Sequence, residues 1–294
     1  IHSVNDLLKQ EFGQTLGSKG VHIIDPFTGT GTFITRLLQS GLISKDQLAN
    51  KYQNEIHCNE IVLLAYYIAA INIEAVYYAI IHDEEQATVY EPFKGICLTD
   101  TFQLYEKDDL VSELLADNSE RRNRQKSLDI RVIMGNPPYS AGQTDASDNN
   151  QNVIYEGLDS RIRDTYSKRS TATSTKNLMD SYIRAIRWAS DRVGDSGIIG
   201  FVTNAGFMEA STADGLRKCL ADEFSSIYVF HLRGNARTAG ELRRKEKDNV
   251  FGSGSRAPIA ISLLVKNPNA KQHGKIHFHD IGDYLSQQDK LERI

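Results

Sequence analysis

Asp129-Ile-Arg-Val-Ile-Met-Gly-Asn-Pro-Pro-Tyr139 is the stretch around which the chain is organised. Its first half predicts a short buried strand, because apolar residues dominate it and a glycine follows. The two prolines cannot donate hydrogen bonds to a sheet, so the backbone must leave the sheet there. Asn136, Pro137, Pro138 and Tyr139 therefore place an amide, carbonyl groups and an aromatic ring at a strand's carboxyl end. The tetrapeptide offers no nucleophile, metal ligand or general base, and it suits the binding of a planar amine.

Apolar runs alternate with helical patterns along the chain. Strands are predicted at residues 21–25, 55–58, 95–98, 130–134, 197–203, 226–231 and 257–265, with a short further strand at 275–279. Strands that alternate with helices favour a doubly wound, mostly parallel α/β sheet. In such sheets, ligands bind at the carboxyl ends of the strands.

We expect one domain over residues 1–294, because 40% hydrophobic content can bury a large core. Residues 1–12 are predicted to be the trailing helix of an upstream motif, in a piece cut from a longer protein. Residues 140–176 contain few apolar positions, which is typical either of a solvated loop or of a mobile lid. Residues 231–256 form a basic segment.

The chain shows no signal peptide and no apolar run that approaches about 20 residues, the length of a membrane span. A long apolar helix is predicted over residues 61–81, buried on most sides. Cys58, Cys97 and Cys219 are odd in number and widely spaced, which favours reduced thiols in a cytoplasmic protein.

A glycine turn follows the first predicted strand, in Asp25-Pro-Phe-Thr-Gly-Thr-Gly-Thr-Phe33. It lacks the third glycine of the dinucleotide fingerprint and the lysine of a phosphate loop. Its two glycines still let the backbone approach a ligand, and the helix that follows favours an anionic group such as a carboxylate. Glu60 ends the second strand, where an acid can accept both hydroxyls of a ribose. Asp100 ends the third, where a carboxylate can accept from an exocyclic amine. Each acid alone is more often a helix cap, but together they predict a nucleoside site.

Two motifs resemble those of a known family. Residues 25–33 resemble motif I of S-adenosylmethionine-dependent amino-methyltransferases, and residues 136–139 resemble their motif IV, as in DNA adenine-N6 methyltransferases. The order, with the glycine motif first, resembles the gamma class. Residues 231–237, 249–256 and 279–284 further resemble the methyltransferase region of single-chain type ISP restriction-modification enzymes. The resemblance implies a Rossmann-like methyltransferase fold with a seven-stranded sheet and an antiparallel last strand.

The resemblance also implies S-adenosyl-L-methionine as the cofactor. Its methionine part would lie at the glycine turn, its ribose on Glu60, and its adenine near Ile61, Asp100 and Thr101. The implied cofactor-binding residues are Asp25, Pro26, Phe27, Thr28, Gly29, Gly31, Thr32, Phe33, Glu60, Ile61, Asp100 and Thr101.

The catalytic residues implied by the resemblance are Asn136, Pro137, Pro138 and Tyr139. A target adenine must leave the helix stack to reach the methyl group. Its amine would then lie between the Asn136 side-chain oxygen and the Pro137 carbonyl, with Tyr139 stacked on the ring. Orientation and charge complementarity carry this reaction, and no covalent intermediate is needed.

The basic segment carries seven Lys or Arg against three acids, while the whole chain has a formal charge of -4. We expect it to contact the phosphates of double-stranded DNA, although a solvated helix with internal ion pairs explains the same composition. Phe251 is either a second stacking surface for the flipped base or a core residue. The predicted DNA-binding residues are Arg233, Arg237, Arg243, Arg244, Lys245, Arg256 and Phe251.

Other functions remain open at this point. Methylation of a glutamine amide in a protein uses a similar pair of motifs, but it needs no basic DNA surface. A catalytically silent DNA-recognition module is the other alternative. His277 and His279 alternate on one predicted strand without a nearby cysteine, so no metal site is predicted. The type ISP resemblance implies a target-recognition domain and nuclease and helicase parts in a longer parent chain.

Overall fold

The computed structural model describes residues 1–82, 89–105, 116–139, 153–252 and 255–294. Its strands are β1 (His22–Asp25), β2 (Ile56–Glu60), β3 (Ile96–Leu98), β4 (Ile130–Gly135), β5 (Gly197–Asn204), β6 (Ser226–Arg233), β7 (Ile259–Lys266) and β8 (Lys275–Asp280). Its α-helices are α1 (His2–Phe12), α2 (Thr32–Gln39), α3 (Lys45–Asn50), α4 (Leu63–Ile81), α5 (Ala116–Ser127), α6 (Glu156–Ile162), α7 (Ser181–Arg192), α8 (Asp214–Glu223), α9 (Gly240–Glu246) and α10 (Gln287–Glu292).

The strands form one sheet of order β3-β2-β1-β4-β5-β7-β6-β8. β2 pairs in parallel with both β1 and β3, and β4 pairs in parallel with β1. β7 is antiparallel to β6. The predicted α/β class, with a mostly parallel sheet and an antiparallel seventh strand, is therefore confirmed.

The strand number differs from the predicted seven. Residues 275–280 form a full eighth strand, which pairs in parallel with β6 from Ser226↔Lys275 to His231↔Asp280. The segment looked like a short appendage because its alternating histidines and apolar residues give it no buried face of its own. Its ladder with β6 depends on a pairing about 50 residues away in the chain, which no local pattern specifies.

The chain divides into two compact units. The first comprises Ile1–Asn136 and Asp191–Ile198, and the second comprises Pro137–Ser190 and Ile199–Ile294. In the first unit, Ile23 and Ile24 of β1 and Ile133 of β4 are fully buried. α2 buries Ile34, Leu37 and Leu38, whose i, i+3 and i+4 spacing puts them on one face.

The helix α4 departs from the prediction that it is buried on most sides. Only Ala69, Ile73 and Tyr77 are buried. By length and composition alone, α4 is long and apolar enough to cross a membrane, and it is the one such helix among the described residues. Asn72 and Glu74 interrupt its apolar run.

The second unit contains part of the predicted mobile insertion, and this part is folded. Residues 153–176 include α6, and Tyr155, Leu158, Ile162 and Tyr166 are almost fully buried. Inside the unit, Asp159 of α6 accepts two hydrogen bonds from Arg184 of α7, both of 2.8 Å. The four apolar residues follow a helical spacing that the polar composition concealed. The rest of the insertion, residues 140–152, lies outside the described residues.

Candidate active site at the carboxyl ends of the strands

The loop after β1 folds back on itself through two glycines with positive φ angles. Gly29 has φ 56° and Gly31 has φ 89°, a region that side-chain-bearing residues seldom adopt. A β-carbon on Gly31 would also lie 3.4 Å from the backbone of Ala69 in α4, whereas the space beside Gly29 is open to 4 Å. Gly31 thus lets α4 pack against the loop, and Gly29 leaves its outer surface free for a ligand.

Glu60, the last residue of β2, ties this loop to the start of α4. One carboxylate oxygen accepts from the Gly29 N–H at 2.7 Å, and the other accepts from the Val62 N–H at 2.7 Å. The side chain is buried, with 8% of the residue exposed. Glu60 therefore fixes the shape of the glycine loop through bonds that no sequence pattern indicates.

The segment after β3 is fastened to the same loop. Thr101 donates from its hydroxyl to the Pro26 carbonyl at 2.5 Å, and Asp100 accepts from the Phe102 N–H at 2.9 Å. The rings of Phe27 and Phe102 lie 5.5 Å apart. Aromatic rings, a half-buried carboxylate and the glycine loop therefore meet at one edge of the sheet.

The remaining predicted cofactor residues surround this edge. Pro26 is buried, Thr28 is buried with its hydroxyl bonded to the Asp25 carbonyl, and Ile61 is 45% exposed. Thr32 and Phe33 form the first turn of α2. The first unit thus contains all twelve residues that were predicted to bind the cofactor.

Asp25, at the end of β1, is fully buried. Its Oδ1 accepts from the Phe27 N–H at 3.0 Å, and Oδ2 has no hydrogen-bond partner among the described residues. A β-carbon on Gly135, the last residue of β4, would lie 2.7 Å from Asp25 Oδ1. The Asp25 carboxyl therefore fills the space that Gly135 leaves, which sets the glycine loop beside the residue before Asn136.

Burial raises the pKa of Asp25 from its ordinary value of 3.8 to about 7, and the nearby Glu60 charge adds to this rise. An unfolded Asp25 loses its proton near pH 4 and the folded one near pH 7, so its contribution to the free energy of unfolding falls as pH rises through that window. Between pH 5 and pH 8 the loss is on the order of 3 kcal/mol. We expect Asp25→Asn, which keeps an acceptor for Phe27, to flatten this decline in stability.

Urea unfolding at these two pH values measures this effect. Asp46→Asn is the matched control, because Asp46 is exposed, and it should keep the wild-type pH dependence. An undiminished decline in Asp25→Asn would show that Asp25 does not titrate in this range.

Asn136 follows β4 directly and is exposed, whereas Pro137 is buried and Pro138 is exposed. Tyr139 is half-buried and belongs to the second unit. There it packs against a buried cluster of Leu232, Val250, Ile259 and Ile281. One face of the tyrosine is therefore supported by the protein, as a stacking residue requires.

The predicted DNA-binding arginines and lysine differ in their surroundings. Arg233 is held by two carboxylates, with its Nε 2.8 Å from Asp280 and a guanidinium nitrogen 2.5 Å from Asp283. Lys245 lies 3.4 Å from the same Asp283. Arg243 bonds to the Lys247 carbonyl, and Arg244 lies 3.5 Å from Glu241. These contacts make Arg233 a structural link between β6 and the end of β8.

Two of the predicted arginines, Arg237 and Arg256, are exposed. Arg244 is also exposed, since its contact with Glu241 lies at the surface. The helix α9 has no buried residue. These three arginines, together with the exposed Lys247, form the accessible part of the basic segment.

Phe251 is 47% exposed on a loop that is held from several sides. The Asn249 side chain donates to the Gly234 and Ala257 carbonyls and accepts from the Phe251 N–H at 2.9 Å. Lys290, which is fully buried, donates to the carbonyls of Glu246 and Asp248. The ring is therefore a surface residue on a fixed loop, not a core residue. The role of Lys290 was missed because its partners lie more than 40 residues away in the sequence.

The two histidines of β8 stack on β6. His277 lies 4.3 Å from the Tyr228 ring, and His279 lies 5.0 Å from the Phe230 ring, measured between centroids. In the described ranges, no group of three or more His, Cys, Asp or Glu residues could hold a metal ion.

The strand order and the glycine loop agree with the predicted Rossmann-like methyltransferase fold. A solved type I restriction-modification assembly shares this fold at a TM-score of 0.53 and 12% identity, over 99% of this chain and 48% of the other. The Eco57I restriction-modification methylase model matches residues 40–237. The chain belongs to the Eco57I restriction-modification methylase family, and the predicted family resemblance is confirmed.

Three solved structures are much more similar to the chain. The type ISP restriction-modification enzyme LlaGI, as a nuclease-deletion mutant with a DNA substrate mimic, is 50% identical over 100% of this chain and 24% of its own, with a TM-score of 0.92. LlaBIII, an ATP-dependent type ISP enzyme bound to DNA, is 46% identical over 99% of this chain and 20% of its own, with a TM-score of 0.91. DrdV in complex with DNA is 42% identical over 98% of this chain and 27% of its own, with a TM-score of 0.88. No curated protein matches the chain. The chain thus spans about a quarter of the length of these structures.

Proposed function

We propose that the chain is the catalytic domain, over residues 1–294, of a site-specific DNA methyltransferase within a restriction-modification enzyme. It transfers a methyl group from S-adenosyl-L-methionine to N6 of a flipped-out adenine. The observation that carries the proposal is the pairing of β1 with β4. This pairing puts the Asp25 carboxyl in the space beside Gly135, so the glycine loop and Asn136 end adjacent strands.

The residues at this edge fit the cofactor. Gly29 leaves open space above a loop whose shape Glu60 fixes, and the loop leads into the amino end of α2, which favours a carboxylate. Phe27, Ile61 and Asp100 offer an apolar and hydrogen-bonding border for an adenine. When bound, S-adenosyl-L-methionine supplies a methyl group on a positively charged sulfur.

Asn136 and Pro137 orient the acceptor. The Asn136 side-chain oxygen and the Pro137 carbonyl accept the two hydrogens of the adenine amine, which turns the nitrogen lone pair out of conjugation with the ring. The lone pair would then accept the methyl group that the cofactor supplies, with the cofactor sulfur as the leaving group, and the amine proton would go to solvent. Tyr139 supports one face of the flipped base and Phe251 offers a second aromatic surface. Positioning supplies the rate acceleration.

The partners follow from the same proposal. Double-stranded DNA is the substrate, and a target-recognition domain together with nuclease and helicase parts belongs to the same parent chain. LlaGI and LlaBIII, the related enzymes, were solved with DNA or a DNA mimic. Cys58, Cys97 and Cys219 are free and buried, which supports a cytoplasmic location.

Transfer of tritium from labelled cofactor tests the proposal. Double-stranded DNA is compared with a release factor, as the protein that would carry the glutamine acceptor, and with no acceptor. The labelled DNA is digested to nucleosides. We expect label only in DNA and only in N6-methyladenine. Label in the release factor would support glutamine methylation, and label in cytosine would contradict adenine as the target. Cofactor binding without transfer to any acceptor would support a silent recognition module.

The accessible part of the basic segment predicts the salt dependence of DNA binding. The logarithm of the binding constant falls linearly with the logarithm of the salt concentration. Each phosphate that a cationic side chain no longer neutralises makes this slope less steep by about 0.9. The triple variant Arg237→Gln, Arg244→Gln, Arg256→Gln should therefore flatten the slope by roughly 2 to 3. Filter binding between 50 and 200 mM salt, roughly the range over which such slopes are resolved, measures it.

A matched control neutralises three exposed lysines outside the segment, Lys9, Lys45 and Lys271. Their replacement by glutamine should leave the slope unchanged. Equal slopes in both triple variants would mean that the segment is only a solvated surface.

A further inference from the structure

The helix α4 has the composition of a helix surrounded by protein on all sides. Of its 19 residues, Glu74 alone carries a charge. Helices that are apolar all round are normally buried. Yet only 17% of its most apolar window is buried, so most of this surface lacks a cover in the described part of the chain.

Four of the large exposed apolar residues form one stripe, the α4 stripe, defined as Leu64, Tyr67, Ile68 and Ile71. Leu64 is 70% exposed and Ile71 is 63% exposed. Their spacing of three and four residues places them on one face. A continuous ridge of large apolar side chains is the surface that packs into the groove of another helix.

The opposite face of α4 shows that the helix is an integral part of the fold. Ala69 and Ile73 pack against Gly31, and the Asn72 side chain donates to the Thr30 carbonyl at 2.9 Å. The strands before and after α4 pair with each other in parallel, with Cys58 opposite Ile96. Because both ends of the helix are tied to the sheet, insertion of α4 into a bilayer would require the sheet to come apart.

The border of the stripe indicates the kind of partner. Transient interfaces have a polar, charged rim, whereas permanent interfaces resemble a domain core cut in half. Glu74 is engaged inside its own unit, where it accepts from the Phe93 N–H and the Tyr90 hydroxyl, both at 2.8 Å. The stripe therefore has no charged rim of its own on α4, which favours a permanent partner.

We propose that the α4 stripe is a docking surface for an apolar helix from another segment of the same, longer polypeptide. The solved relatives have about three quarters of their length outside the matched region, and the docked helix would come from a corresponding part of the longer polypeptide. Because α4 also packs on Gly31, the docked helix would hold the glycine loop from behind.

Cysteine labelling tests the proposal. Cys58, Cys97 and Cys219 are buried, so the wild-type background with a maleimide is low. Ile71→Cys is compared in the 1–294 chain and in the longer polypeptide. We expect fast labelling in the 1–294 chain and labelling at least tenfold slower in the longer polypeptide. Leu242→Cys, at a position that is 63% exposed on α9, is the matched control and should label fast in both.

Three outcomes would overturn the proposal. Equal labelling rates of Ile71→Cys in the two proteins would show that no segment covers the stripe. Protection of the 1–294 chain that grows with its concentration, together with a doubled mass in light scattering, would identify a second copy as the partner. Protection that appears only with phosphatidylcholine vesicles would identify a lipid surface.

Discussion

Replacing Asn136 with alanine is expected to lower the rate of methyl transfer by about 100- to 1,000-fold, the usual effect of removing one preorganised polar group from a site. The cofactor should bind with unchanged affinity, because Asn136 is assigned to the acceptor amine. Asn136 is exposed, so its truncation leaves no buried cavity and folding should be preserved. Single-turnover transfer from labelled cofactor measures the rate, and calorimetry measures the affinity.

Asn136→Asp is the matched variant for this prediction. A carboxylate at this position still accepts a hydrogen bond from the amine, so Asn136→Asp should retain more transfer than Asn136→Ala. A rate of Asn136→Ala close to that of wild type would contradict the assigned role. Two equally inactive variants would indicate a requirement for the amide that amine acceptance does not explain.

The succession of strands along the chain, and the polar residues that follow them, could be predicted because both depend on local patterns. Gly29 and Gly31 mark a turn, Pro137 and Pro138 mark the point where β4 leaves the sheet, and short apolar runs mark the strands. Each of these signals is contained within about ten residues of sequence. The chemistry of the edge follows from which polar residue comes after each strand.

What could not be predicted depends on interactions over long distances in the sequence. The ion pairs of Arg233 are one example, because its partners Asp280 and Asp283 lie about 50 residues away, at the end of β8 and just after it. The α6 helix was not recognised because the sequence around it is mostly polar. One of its charged residues makes an internal contact, since Asp159 of α6 forms a buried ion pair with Arg184 of α7.

The exposure of α4 has a different origin. Its sequence predicts burial, and the described structure leaves the α4 stripe uncovered. An apolar helix reflects the surroundings in which it is stable, and the proposed longer polypeptide would supply those surroundings. The disagreement between pattern and structure is therefore itself a prediction about a partner.

Glu60→Ala is expected to weaken cofactor binding by about 10- to 100-fold, which corresponds to roughly 1.4 to 2.8 kcal/mol. Two separate effects contribute to this weakening. Without the carboxylate, the Gly29 and Val62 N–H groups lose their acceptors, and the glycine loop loses its fixed shape. The ribose hydroxyls of the cofactor also lose the acid assigned to them. Glu60→Gln keeps one acceptor oxygen and should show an intermediate affinity.

A double-mutant cycle with a 2′-deoxy analogue of S-adenosylhomocysteine separates the two effects. If Glu60 binds the ribose, removal of the hydroxyl should weaken binding to wild type and have little further effect on Glu60→Ala. If Glu60 acts only through the loop, the two losses of affinity should add. Unchanged affinity in Glu60→Ala would contradict both roles and would place the cofactor elsewhere. We expect a coupled loss smaller than the whole effect, because the carboxylate is already bonded to the loop and must share its oxygens between backbone and ribose.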